Sequence, residues 1–106
     1  MQVISDTADG MTVGLGVGQT VEVRLAENAS TGFRWEMRQD GKPACRVVDE
    51  AREPPKSGAA MPGQEGTHSW RLVGVQPGEC EVAMEYRRPW ENSGTRQFSV
   101  RIRVAP

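Results

Sequence analysis

Reactive side chains are scarce in this 106-residue sequence, which has one histidine and two cysteines. Cys45 and Cys80 form no Cys-x-x-Cys pair and have no second histidine near them, which excludes a zinc site and leaves no metal to expect. They read as two small buried apolar residues or as a single bridge. An excess of charge of one sign is also missing. Thirteen Lys and Arg against 14 Asp and Glu give a net charge of −1, so no basic face for nucleic acid is expected. No apolar run approaches the ~18 residues of a membrane span, and no membrane partner is expected. The opening Met1-Gln2-Val3-Ile4-Ser5-Asp6 lacks the basic and apolar segments of a signal peptide. Two locations stay open: periplasmic or secreted if a leader has been removed, cytoplasmic otherwise.

Long stretches without glycine or proline are absent too. Twelve glycines and seven prolines are spread so evenly that the segment free of both is longest at Gln19 to Thr31, which leaves little room for helices. Strands must carry the fold. Hydrophobic residues make up 37% of the chain before the glycines are added, an ordinary value for a globular domain. At this length one core is expected and therefore one domain, residues 1–106.

Period-two alternation locates four strands: Val21, Val23 and Leu25; Trp70 and Leu72; Cys80, Val82, Met84 and Tyr86; Phe98, Val100, Ile102 and Val104. Shorter signals predict strands at Thr12 to Leu15, Phe33 to Met37 and Arg46 to Asp49, although Ala44 to Glu53 also suits a helical turn. Short polar turns separate them at 16–18, 40–43 and 76–79. About seven short strands in about 100 residues predict an all-β, immunoglobulin-like antiparallel β-sandwich. The antibody Cys…Trp…Cys order is absent, because Trp35 precedes both cysteines.

Catalysis finds little material. His68 stands alone at the start of a strand, and a Cys45/His68 dyad would lack both an orienting partner and an oxyanion site. Glu50 and Glu53 lie in a charged stretch that suits a solvated face. Gly14-Leu15-Gly16-Val17-Gly18 lacks the Lys-Ser/Thr ending and the helix of a phosphate loop. No enzyme activity and no cofactor are expected.

Three connections are longer or oddly composed, at 26–32, 51–66 and 87–94. In Asn28-Ala29-Ser30-Thr31-Gly32-Phe33, a residue able to cap its own turn precedes two hydroxyls, a glycine free to take positive φ, and an aromatic anchor. This reads as a stiff loop that projects Thr31, or as an ordinary turn between strands. The second, 54–66, exceeds the ~12 residues of common connections and suits either function or a linker. In the third, Arg88-Pro89-Trp90, proline restricts the backbone between two residue types enriched at binding hot spots.

Taken in order, these loops resemble those of the chagasin family, immunoglobulin-like protein inhibitors of papain-like cysteine peptidases. The family's Asn-Pro-Thr-Thr-Gly-Tyr/Phe loop corresponds to Asn28, Ala29, Ser30, Thr31, Gly32 and Phe33. Its glycine-rich loop corresponds to Pro62, Gly63, Gln64, Glu65 and Gly66, running on into Trp70, and its Arg-Pro-Trp/Phe to Arg88, Pro89 and Trp90. Ala29, Ser30 and Glu65 depart from the family pattern at single positions. The resemblance implies a reversible, non-covalent, competitive inhibitor, monomeric when free, whose protein partner is a papain-like cysteine peptidase. Thr31 would sit near the catalytic cysteine, with Arg88 and Trp90 on one flank and Gly63 and Gly66 on the other. The alternative is an immunoglobulin-like adhesion or interaction module that offers the same loops to a non-peptidase partner.

Overall fold

Strands form wherever apolar and polar residues alternate, because that period places one face of each strand on a common core. A computed structural model describes residues 1–28, 32–53, 66–88, 90–91 and 96–106. Its elements are β1 (Gln2–Ser5), one 3₁₀ turn (Asp6–Ala8), β2 (Thr12–Gly16), β3 (Thr20–Glu27), β4 (Arg34–Asp40), β5 (Cys45–Glu53), β6 (Gly66–Gly74), β7 (Gly78–Arg87) and β8 (Arg96–Ala105). They build two four-stranded sheets, ordered β1-β3-β6-β5 and β2-β8-β7-β4. Among the described residues, no helix is long and apolar enough to cross a membrane.

The all-β immunoglobulin-like expectation holds, with one correction to the pairing: the sheets are mixed rather than antiparallel. β1 runs parallel to β3 and β2 parallel to β8, while the other four pairs are antiparallel. A hairpin makes neighbours antiparallel, whereas a chain that changes sheets between two strands can bring them together in the same direction. Residues 6–19 provide such a detour, leaving β1 at the edge of one sheet, laying β2 at the edge of the other, and returning to β3. β1 is also the strand beyond the expected seven. Within the segment 44–53, Ala44 ends a turn and Cys45–Glu53 form strand, with an irregularity between Val47 and Asp49 that blurs its alternation.

The core draws Val21, Val23, Leu25, Trp70 and Leu72 from the first sheet and Val82, Met84, Phe98, Val100 and Ile102 from the second, all buried. Phe98 is among the largest of the fully enclosed side chains. Phe98→Ala is expected to lower the unfolding free energy by about 3 to 5 kcal/mol in denaturant titration, because transfer and cavity terms add. A loss below about 1 kcal/mol would contradict this packing.

One end of the sandwich is closed by backbone. Gly18 N donates to Gly74 O at 2.8 Å and Gly74 N to Gln19 O at 3.0 Å. A Cβ on Gly74 would lie 2.7 Å from Gly16 O, so only glycine allows this approach. Nearby, Cys45 and Cys80 are buried free thiols whose sulfurs lie 3.5 Å apart. Burial, aided by the Cys80 contact, pushes the Cys45 thiol up to about 12, so it is no thiolate nucleophile at neutral pH. Cys45 pairs with Gly74 and His68 with Arg52, which puts the two at opposite ends of β5, on the order of 20 Å apart. That separation removes the Cys45/His68 dyad.

Candidate functional site

The other end carries the three long connections. β3 finishes at Glu27 and β4 starts at Arg34; β5 finishes at Glu53 and β6 starts at Gly66; β7 finishes at Arg87 and β8 starts at Arg96. Register brings these six ends to one pole: Glu27 faces Gly66, Glu53 faces Thr67, Arg34 faces Arg87 and Tyr86 faces Arg96. The first connection crosses from one sheet to the other, so its two ends must be joined by side chains rather than by a ladder. Trp35 does this with its indole Nε1–H, which donates to Ala26 O at 2.8 Å, and with its backbone N–H, which donates to Glu27 Oε2 at 2.8 Å. Tyr86 on β7 adds a third tie, its hydroxyl accepting from Asn28 N at 2.9 Å.

From that base a column of rings rises to the surface. Trp35 packs on Tyr86 with centroids 4.8 Å apart, and Tyr86 stacks on Phe33 at 5.1 Å. The Arg88 guanidinium lies 4.4 Å over Phe33 and 6.0 Å from the Trp90 ring, so it spans the first and third connections. Arg88 Nη1 also reaches Glu91 Oε1 at 3.1 Å, and Arg87 donates to the Glu91 carbonyl, which folds the start of the third connection back on β7. At the top, Trp90 is 70% exposed, an unusual cost for the largest apolar side chain.

Gly32 meets that ring. It takes φ +81°, and a Cβ there would lie 2.6 Å from Trp90 Cη2. Glycine is therefore required twice, by the backbone and by the indole. Of the residues expected to form the site, the structure thus brings together Asn28, Gly32, Phe33, Arg88 and Trp90, with Gly66 beside Glu27 on the next strand. Ala29, Ser30, Thr31, Pro62, Gly63, Gln64, Glu65 and Pro89 lie outside the described residues.

Four supporting residues escaped the sequence reading. Tyr86 read only as a member of an alternating strand and Trp35 only as an aromatic anchor on the strand after the first loop, whereas both tie the ends of that connection. Glu27 and His68 carried a signal that was there to be read. Glu27 is in phase with Val21, Val23 and Leu25, and His68 with Trp70 and Leu72, so each places a polar side chain where the period demands an apolar one. Both are buried, and they meet with His68 Nδ1 2.9 Å from Glu27 Oε2.

Chemically this end offers shape and contact rather than reaction. Among the described residues, no group of three His, Cys, Asp or Glu is placed to hold a metal ion. An exposed indole, an arginine beside it and a glycine-limited backbone are the elements of a protein-binding edge.

Known proteins place the chain firmly. A sequence model of the chagasin family of peptidase inhibitors, family I42, matches residues 15–104. Chagasin of Trypanosoma cruzi is 28% identical over 91 residues, 82% of this chain and 81% of its own. Among solved structures, the cysteine protease inhibitor EhICP2 of Entamoeba histolytica superposes with a TM-score of 0.86 at 17% identity, over 98% of this chain and 95% of its own. PbICP-C, solved in complex with falcipain-2, superposes with a TM-score of 0.67 at 19% identity, over 99% of this chain and 100% of its own.

Proposed function

The chain belongs to the chagasin family of peptidase inhibitors, and on that premise we propose that it is a reversible, non-covalent, competitive inhibitor of papain-like cysteine peptidases that plugs the active-site cleft with one end of its sandwich. The observation that carries this reading is the convergence of six strand ends on one pole, where Gly32 of the first connection is packed on Trp90 of the third. A fold shared with PbICP-C, which binds falcipain-2, supports it.

Inhibition of this kind needs no reactive group from the inhibitor; it needs a shape that loses little freedom on docking. The ring column from Trp35 to Trp90 supplies that stiffness at the first and third connections. Thr31, one residue before Gly32, would enter the cleft near the catalytic cysteine. Arg88, Pro89 and Trp90 would grip one wall, and Pro62 to Gly66 the other, where glycine lets backbone approach backbone. An interface of about 800 Å² per partner is enough for a specific complex of this type.

Titration of papain with the purified protein tests the reading. The expected result is stoichiometric, reversible loss of peptidase activity, with an apparent inhibition constant that rises in proportion to competing substrate. Papain whose active site has been blocked covalently should bind far more weakly. Full activity at micromolar inhibitor, or equal binding to blocked and free enzyme, would point instead to a module that recognises some other surface.

A further inference from the structure

The buried pair behind the first connection does more than fill space. His68 is 0% exposed and has a carboxylate on each ring nitrogen: Glu27 Oε2 lies 2.9 Å from Nδ1 and Glu50 Oε2 lies 2.7 Å from Nε2. A carboxylate only accepts, and a neutral imidazole has one N–H to give. Both contacts are hydrogen bonds only when His68 carries two ring protons. Without the second proton, a nitrogen lone pair faces a carboxylate oxygen at hydrogen-bond distance.

Charged groups surround the ring. Glu27, 5% exposed, accepts from Trp35 N through Oε2, and Arg52 Nε approaches its other oxygen at 3.2 Å. The groups around His68 are Glu27 from β3 and Glu50 from β5, with Arg52 of β5 pairing to Glu27; β4 contributes the Trp35 amide to Glu27, and the Trp70 ring of β6 stacks 3.9 Å from the imidazole. Arg24 and Glu53 pair with each other at 3.4 Å on alternate residues, directed to the opposite face of the sheet. Two carboxylates and one guanidinium leave a deficit of one positive charge, which the imidazolium supplies.

The position of this cluster gives it a role. Glu27 ends β3 and Trp35 is the second residue of β4, at the two ends of the first connection; Glu50 and Arg52 lie in the last stretch of β5 and His68 near the start of β6, at the two ends of the second. We propose that Glu27, His68 and Glu50 are positioning residues: with His68 as imidazolium they clamp together the four strand ends that present the first and second connections, and inhibition is tightest in that form. This rests on the inhibitory reading above. The second ring proton is what makes both carboxylate contacts hydrogen bonds, so a ring that lacks it leaves the clamp one bond short.

The experiment uses Glu50→Gln, since Glu50 is half-exposed and its replacement leaves the core untouched. His68 is the only histidine in the chain, so its ring ¹⁵N signals are assigned without ambiguity. These signals and the inhibition constant for papain are recorded for both proteins between about pH 5 and pH 8, the range in which histidine charge is set by its surroundings. Taking the ratio of the two constants at each pH cancels the peptidase's own titration. The expected result is a wild-type ring with both nitrogens protonated, and a Glu50→Gln ring whose Nε2 proton is no longer held by a carboxylate. The variant should bind about tenfold more weakly wherever the two rings differ in charge. A wild-type ring that is neutral throughout, or a ratio near one where the rings differ, overturns the clamp. Wild-type protein that never inhibits papain indicts the inhibitory reading instead, so the two failures are distinct.

Discussion

Trp90→Ala is expected to raise the inhibition constant for papain by roughly 30-fold or more, about 2 kcal/mol, while changing the unfolding free energy by less than about 1 kcal/mol. The separation of these effects follows from where the ring sits. Trp90 is 70% exposed, so its removal empties no cavity in the free protein and, among the described residues, forfeits its contacts with Gly32 and the Arg88 guanidinium. A large exposed indole is paid for only if a partner covers it. In the complex that ring would bury its exposed faces and press Arg88 against Phe33, which makes the loss on truncation larger than the area alone suggests. The measurement is a pair of progress-curve inhibition constants beside a pair of denaturant midpoints. An unchanged inhibition constant would mean that the third connection faces away from the peptidase.

The parts of this arrangement visible in sequence are those governed by short-range periodicity. Val21, Val23 and Leu25, or Phe98 to Val104, declare themselves because a strand packed on one side repeats every two residues. β5 declares itself poorly, since beyond Cys45 it is an edge strand with mostly exposed residues and an irregularity that shifts its phase. β1 is four residues long, its Val3 exposed, and its parallel pairing depends on which sheet the next strand joins. No local pattern encodes that choice.

At the candidate site the division is similar. The motif residues Asn28, Gly32, Phe33, Arg88 and Trp90 were legible because their types are unusual in that order. What holds them was less so. Tyr86 reaches Asn28 across 58 positions of sequence, and Glu27 reaches His68 across 41, so each partner is defined only once the sheets are assembled. A charged residue in an apolar phase is nevertheless a signal in its own right: the unfavourable burial of Glu27 predicts a partner, though not which one.

Gly32→Ala gives the second large effect, and it differs from the first in reporting a coupling. An L-residue at φ +81° costs about 1 to 2 kcal/mol, whatever surrounds it. The added methyl would also lie 2.6 Å from Trp90 Cη2, and the outer edge of an exposed ring yields more easily than the tied backbone beneath Gly32. The indole is therefore expected to swing off its place, so that one methyl group disturbs the first connection and the anchor of the third together. Inhibition should weaken by about tenfold to 100-fold, with the folded domain retained. The double variant separates strain from coupling. Once Trp90 is alanine the clash is gone, and Gly32→Ala should cost only its backbone strain. The two substitutions together should then weaken inhibition by less than the sum of their separate effects, by about 0.5 to 3 kcal/mol, as for residues in direct contact. Additivity within about 0.3 kcal/mol would show that the two connections bind independently, and that the Gly32–Trp90 contact does not set the shape presented to the peptidase.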